Sequence, residues 1–274
     1  MSSSSDRLPH KVMIDVYWFE QTLADVPRTN DWLSARERDR LSNLRFVKRR
    51  ADWRLGRWTA KNAVAAYLLY PSRRFQDIEI WPSSSGAPTV FIANRRSAFE
   101  ISLTHRAGRA ACAVATSQIP IGCDLELVEP RSSNFIDDYF VAEERQILMR
   151  VGQDNRDWFA ALLWSAKESA LKALQIGLRL DTRCLTVKLN SSLETLIDTS
   201  LSGPRNWLPL EIRCTNERTL HGWWQLNGVF VRTVVAVHAP APPIRLDNSQ
   251  GIPQVEHLTR YVADDGIKMV YIDH

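Results

Sequence analysis

Two stretches of this chain hold charged side chains at spacings that could do chemistry. In IGCDLELVEPR, Ile121 to Arg131, Asp124 and Glu126 stand two positions apart in a β-prone run. They would share one face of a strand, with Cys123, Leu125 and Leu127 on the other. In WSAKESALKAL, Trp164 to Leu174, Glu168 and Lys172 stand four apart, opposite an apolar helix face of Phe159, Leu163, Ala166, Ala170 and Leu174. Two carboxylates on one strand face repel each other, so either water solvates them or a hard divalent cation joins them. Magnesium is such an ion, taking oxygen ligands and keeping phosphates in its shell. The Glu168 and Lys172 pair reads equally as an exposed ion pair of about 0.3 kcal/mol. Taken together, the strand and the helix would supply three carboxylates for a metal and one cation for a phosphate.

Two further pieces carry charge. Arg36 to Lys61 holds ten Lys and Arg against three acids, a larger excess than the +4 of the whole chain. Arg54, Arg57 and Lys61 recur at three and four residues along one side of a helix. A solvated face, a nucleic-acid surface with Trp53 and Trp58 interleaved, and a grip on the phosphates of one small ligand all remain open for it. In SLTHRAGR, Ser102 to Arg109, His105 stands at the end of a β-prone run before a Gly turn, where it could donate to a phosphate.

The elements that must position these residues follow from pattern. A strand is expected over Val12 to Phe19, a helix over Ala35 to Leu44 capped by Ser34, and a long helix over Arg49 to Tyr70 ended by Pro71. Four β-prone pieces follow before residue 116. From residue 120 a strand, a short helix at Ala142 to Val151, a long helix at Arg156 to Leu174 and four more strands repeat that order. No residue-level match accompanies the repetition, so a duplication rests on element order alone. APAPPIRLDNSQGIPQ, from Ala239, has the content of a loose connector, and Glu256 to His274 is expected to give a helix and an edge strand.

With 274 residues, 45% of them hydrophobic and 24% charged, the composition is that of a globular protein. The most apolar stretches, Ala63 to Tyr70 and Val229 to Val237, fall far short of the roughly 20 residues of a membrane span. MSSSSDRLPHK lacks the apolar core of a secretory signal, so a cytoplasmic protein with no membrane partner is expected. The four cysteines show neither zinc spacing nor a disulfide framework.

In their order and spacing, GCDLE (Gly122 to Glu126) and WSAKESALK (Trp164 to Lys172) resemble the paired GxDxE and WxxKExxxK signature of the Sfp-type 4′-phosphopantetheinyl transferases. Asp124 and Glu168 lie 44 residues apart, and RLGR (Arg54 to Arg57), GAP (Gly86 to Pro88) and the dipeptide Thr104-His105 add weaker support. The resemblance extends over roughly residues 12–240. It implies an α+β fold with a pseudo-twofold arrangement of two similar subdomains, each a small, mostly antiparallel sheet packed on a long helix, with the site in the cleft between them. The halves would be residues 1–118 and 119–240, followed by a tail, 241–274, of unknown role.

The implied reaction moves the 4′-phosphopantetheine arm of coenzyme A to a serine hydroxyl of an apo acyl or peptidyl carrier protein, releasing adenosine 3′,5′-bisphosphate. The carriers of fatty-acid, polyketide and nonribosomal peptide synthesis all use this arm. By the family pattern Asp124, Glu126 and Glu168 hold magnesium, or manganese in its place, and Lys172 contacts phosphate. Arg54, Thr104 and His105 with Asp124 contact the coenzyme A side, and Gly86, Ala87 and Pro88 line the adenine. Glu144 resembles a proposed general base, with Glu143 adjacent to it and Glu168 its rival. Two departures stand out: Ala87 replaces a lysine common in the GxP turn, so that contact must come from elsewhere, such as Arg36 or Lys48, and Thr104 replaces the usual serine while keeping a hydroxyl. A monomer that binds no nucleic acid is expected. The alternative is a nucleic-acid-binding protein using Arg36 to Lys61.

Overall fold

The structure, a computed structural model, describes residues 14–116, 118–176, 180–189 and 206–246, and the backbone of two further strands, 258–263 and 266–271. The first half runs β1 (Val16–Thr22), α1 (Ala35–Ser42), α2 (Val47–Leu68), β2 (Ile78–Pro82), β3 (Pro88–Ile92), β4 (Arg95–Arg96), β5 (Glu100–Arg106) and β6 (Arg109–Ala115). The second runs β7 (Ile121–Leu127), α3 (Ser133–Tyr139), α4 (Ala142–Arg150), α5 (Gln153–Ala173), β8 (Leu185–Leu189), β9 (Leu208–Cys214), β10 (Thr219–Asn227) and β11 (Phe230–Ala236). In the first half β1, β6 and β5 form one sheet, and β2, β3 and β4 another. The second half is a single sheet in the order β7-β11-β10-β9-β8. The fold is α+β, as expected.

Alternation along β1 divides its burial. Tyr17 and Phe19 pack with Val64 and Tyr67 of α2, whereas Val16 and Trp18 meet Ile121, Cys123 and Val234 of the second sheet. On α5, Phe159, Leu163, Ala166 and Ala170 are fully buried against Trp224, Val231 and Val235, as the helical spacing predicts. The β1-β6-β5 sheet and the second-half sheet thus each carry a helix on one face and meet each other on the opposite face. α3 was not anticipated from the sequence. SNFIDDY is rich in weak helix formers, and the helix begins where the Ser132 hydroxyl accepts the Phe135 N–H at 3.2 Å.

Two buried ion pairs mark the same place in each half. Glu37 in the first turn of α1 and Lys61 of α2 are fully buried 2.5 Å apart, and Lys61 also donates to the Trp32 and Phe75 carbonyls. Glu144 in the first turn of α4 and Lys167 of α5 are fully buried at 2.8 Å, and Lys167 donates to the Tyr139 and Thr182 carbonyls. Glu37 accepts the Ile80 N–H as Glu144 accepts that of Val187. Every member of the second set follows its counterpart by 106 or 107 positions. In that register Ala35, Glu37, Arg38 and Leu41 match Ala142, Glu144, Arg145 and Leu148, and WTAK (Trp58 to Lys61) matches WSAK (Trp164 to Lys167). A residue-level repeat is therefore present where the sequence alone shows only a repeated order of elements.

The segment after Ala239 also departs from expectation. The Trp223 indole N–H donates to the Pro240 carbonyl at 2.9 Å, and β12 (Ile244–Arg245) pairs parallel with β1. Leu246 is buried in the first-half core. Residues 240–246 are thus a strap onto the first half and not a loose connector. Farther on, β13 (Leu258–Ala263) and β14 (Gly266–Tyr271) pair as an antiparallel hairpin where a helix and a strand were expected. No helix among the described residues is long and apolar enough to cross a membrane.

Candidate functional site

The approach of α5 to β7 begins with a missing side chain. A Cβ at Gly122 would stand 1.8 Å from the Ser169 carbonyl oxygen and 2.6 Å from the Ala173 nitrogen, so only glycine lets the helix lie this close to the strand. Small hydroxyl residues fix its register. The Ser165 and Ser169 hydroxyls bond that of Thr233 on β11 at 2.9 and 2.7 Å, and Thr233 stands opposite Asp124 in the sheet. Asp124, Glu126, Glu168 and Lys172 are brought to one place by these contacts.

Asp124 is 5% exposed. Its Oδ1 accepts from the Thr104 hydroxyl at 2.9 Å and from the Lys172 ammonium at 2.8 Å, while its Oδ2 is buried with no hydrogen-bond partner. Lys172 donates also to the Cys123 carbonyl at 2.8 Å. Burial opposes its charge most strongly, but Asp124, Cys123 and Glu168 together hold the ammonium above its ordinary pKa. Burial pushes the Glu168 carboxyl up, and Asp124 and Glu126 push it further, against the pull of Lys172. Glu126 is also raised by burial and by Asp124, although Arg106 and Arg131 oppose this. The three acids therefore feel one another's charge. As the side chains stand, no three His, Cys, Asp or Glu residues among those described converge into a ligand cluster. Asp124 meets Lys172 through Oδ1, and Glu126 meets Arg106 and Arg131 through Oε2.

β5 brings the first half to the same point. The Ser102 hydroxyl accepts the Cys123 N–H at 2.9 Å, and that of Thr104 accepts the Leu125 N–H at 3.3 Å, so two hydroxyls replace a strand pairing between β5 and β7. The turn from β2 to β3 completes a cleft. Gly86 sits at φ 89°, in the left-handed region that favours glycine. The Ser85 hydroxyl donates to Gln175, just past α5, at 3.2 Å. The resulting cleft, about 240 Å³, is lined by Gly86, Ala87 and Pro88 from one half and by Leu171 and Lys172 from the other.

Other expected site residues lie elsewhere or are otherwise engaged. Glu144 does not suit a general base: it is fully buried, paired with Lys167, and accepts the Val141 and Val187 N–H groups. Burial still raises its carboxyl above the ordinary value, but no substrate hydroxyl can reach it. Arg54 donates to the carbonyls of Pro27, Arg28 and Thr29 and thereby clamps that loop. His105 is exposed on β5, adjacent to Thr104 but on the opposite face. Lys61 is enclosed by protein, and Arg36 pairs with Glu79 at 3.2 Å and stacks over Trp81. The basic stretch is thus partly internal, and the nucleic-acid reading loses Lys61 and Arg54 from its surface.

Sequence reasoning missed the Arg106 and Arg131 cations on Glu126, at 3.5 and 3.0 Å. Arg131 was in plain view at the end of the acidic strand segment, but its partner depends on the path of the chain after Pro130.

Residues 120–214 match the family model described as the 4′-phosphopantetheinyl transferase superfamily. The matched span opens at β7 and takes in α5, so it contains every acid of the site. No curated protein matches the chain at a significant level.

Proposed function

We propose that this chain is a 4′-phosphopantetheinyl transferase of the Sfp type, which moves the phosphopantetheine arm of coenzyme A to a serine of an apo acyl or peptidyl carrier domain. The observation that carries the reading is the buried, unpartnered Oδ2 of Asp124 beside the Lys172 ammonium, with Glu126 and Glu168 close enough to perturb its surroundings. A buried carboxylate oxygen without a donor is costly unless a cation meets it. Oxygen donors from Asp124, Glu126 and Glu168 suit a hard divalent ion, and the residues present fit magnesium, or manganese in its place. Bound there, the ion would neutralise charge on the pyrophosphate oxygens.

The protein's own residues do the remaining work. Lys172, 29% exposed at the cleft, offers a cation to the phosphate. Gly86, Ala87 and Pro88 give the adenine end of coenzyme A an uncharged wall, while Arg54, engaged with the loop at Pro27, and His105, on the opposite face of β5 from Thr104, would reach its phosphates only if the ligand extends to them. The serine oxygen attacks the β-phosphorus of coenzyme A, forming one P–O bond as the bond to the departing adenosine 3′,5′-bisphosphate breaks. The proton passes to Glu168, which is partly exposed beside the cleft. We further propose a cytoplasmic, monomeric enzyme serving carriers of fatty-acid, polyketide or nonribosomal peptide synthesis.

Intact-mass spectrometry of apo carrier proteins incubated with the protein, coenzyme A and magnesium is expected to register one added phosphopantetheine. Asp124→Ala is expected to abolish the addition with the fold kept. No addition on any of several carriers overturns the transferase reading, and an active Asp124→Ala overturns the metal assignment.

A further inference from the structure

Both strand acids of the site are tied by one oxygen only. On Asp124 the hydroxyl of Thr104 and the ammonium of Lys172 meet at Oδ1. On Glu126 the guanidinium groups of Arg131 and Arg106 meet at Oε2, and among the described residues no hydrogen bond or ion pair reaches Oε1. Arg131 is itself firmly set. Its side chain is 15% exposed, it bridges to Glu129 at 3.4 Å, and its guanidinium lies over the Phe135 ring, 4.9 Å from the centroid. Phe135 packs edge-on against Trp164 at 5.1 Å. Trp164 is one turn before Glu168 on α5. An unbroken line of contacts therefore runs from α5 through Phe135 and Arg131 to the Glu126 carboxylate on β7.

We propose that Arg131, held by Phe135, is a positioning residue for Glu126: it fixes Oε2 so that Oε1 stays available to a divalent cation shared with Asp124 Oδ2 and Glu168. The inference rests on the transferase reading and extends it to a residue that touches neither the cation nor the substrate. A guanidinium on one oxygen has two effects. It offsets part of the repulsion between Glu126 and Asp124 before any cation arrives, and it removes a rotational freedom that binding would otherwise have to quench. Arg106, more exposed and farther from Oε2, does less of this.

Manganese binding, followed by the loss of the free-ion paramagnetic resonance signal in the presence of coenzyme A, tests the proposal without any turnover. Arg131→Ala is expected to weaken manganese binding by roughly tenfold, the scale on which such supporting contacts act. Arg131→Lys should recover part of that loss, and Phe135→Leu should move affinity the same way by a smaller factor. In turnover, the magnesium concentration for half-maximal rate should rise by more than kcat falls. Unchanged or tighter manganese binding by Arg131→Ala, in a protein that Asp124→Ala prevents from binding manganese, overturns the role of Arg131 and leaves the transferase reading intact. Wild-type protein that binds no manganese, or binds it as Asp124→Ala does, overturns both. A circular-dichroism melt of each variant separates lost binding from lost fold, and an Arg131→Ala protein that is unfolded while Arg131→Lys binds as wild type also counts against positioning.

Discussion

Thr104 does two jobs with one hydroxyl. It donates to Asp124 and accepts the N–H of Leu125, so the same atom joins the two halves and aims the central carboxylate. Thr104→Val keeps the shape and removes both bonds. It leaves a buried N–H without a partner, which is expected to cost about 1–3 kcal/mol by urea denaturation, and to lower transfer activity far more than that loss of stability explains. An unchanged rate would mean that Lys172 alone sets Asp124. The sharing of a face by Asp124 and Glu126, and by Glu168 and Lys172, was legible in the sequence because it follows from backbone period alone. The burial of Glu144 was not. AEER gives no hint that the second glutamate folds back to cap its own helix and pair with Lys167, since that contact crosses 23 residues of chain. Lys61 misled for the same reason: a cation in a basic run looks solvated until its buried partner is known.

At the scale of elements, the decisive surface is the one between β7 and α5. Gly122→Ala is expected to push the helix away from the strand, destabilising the fold by about 3 kcal/mol and separating Glu168 from Asp124. Far-ultraviolet melts and transfer assays on one preparation test this. A stable, active Gly122→Ala would mean that the helix sits farther away than described. The Lys167 and Glu144 pair holds the other end of the same unit. Lys167→Met alone leaves a buried carboxylate uncompensated and should cost about 3–5 kcal/mol. The double variant Lys167→Met with Glu144→Leu should regain much of that, as denaturant titrations of the single and double variants would reveal. Helices α2 and α5 could be read from spacing because they are long and one-sided. α3 could not, because its seven residues owe their shape to the Ser132 cap and to packing on Trp164.

For the whole molecule, the two halves share a scaffold and differ in charge at the site. By strand register Phe19 of β1 occupies the place of Asp124 of β7, and the register of the long helices sets Asn62 against Glu168. The framework of buried Glu and Lys appears in both halves, and the acids in only one. This repeat escaped the sequence because its identical residues are few and scattered, and only the matched ion pairs supply the register. Between the halves, Glu20 of β1 bonds Arg232 of β11 at 2.7 Å, and within its own half it bonds Arg109 of β6 at 3.1 Å. Burial alone would raise the Glu20 carboxyl, but the hydrogen bond and charge of Arg232, with the hydrogen bonds of Trp18 and Arg109, together hold the group below its ordinary 4.5. A depressed carboxyl contributes stability above the unfolded pKa and loses it as pH falls through the folded one. Glu20→Gln should therefore be less stable than the wild type by about 2 kcal/mol near neutral pH, with the gap closing as pH falls below 4.5. Urea midpoints across that range decide the matter, and a gap that stays constant would remove Glu20 from the acid response.

The strap at β12 bears on the order of synthesis. β1 leaves the ribosome before the whole second half, yet the strand that covers its outer edge comes from Ile244 and Arg245, after that half. The other face of its sheet likewise waits for β7 and β11. No nascent chain shorter than about residue 246 contains a finished first half, so the part made first is the part completed last.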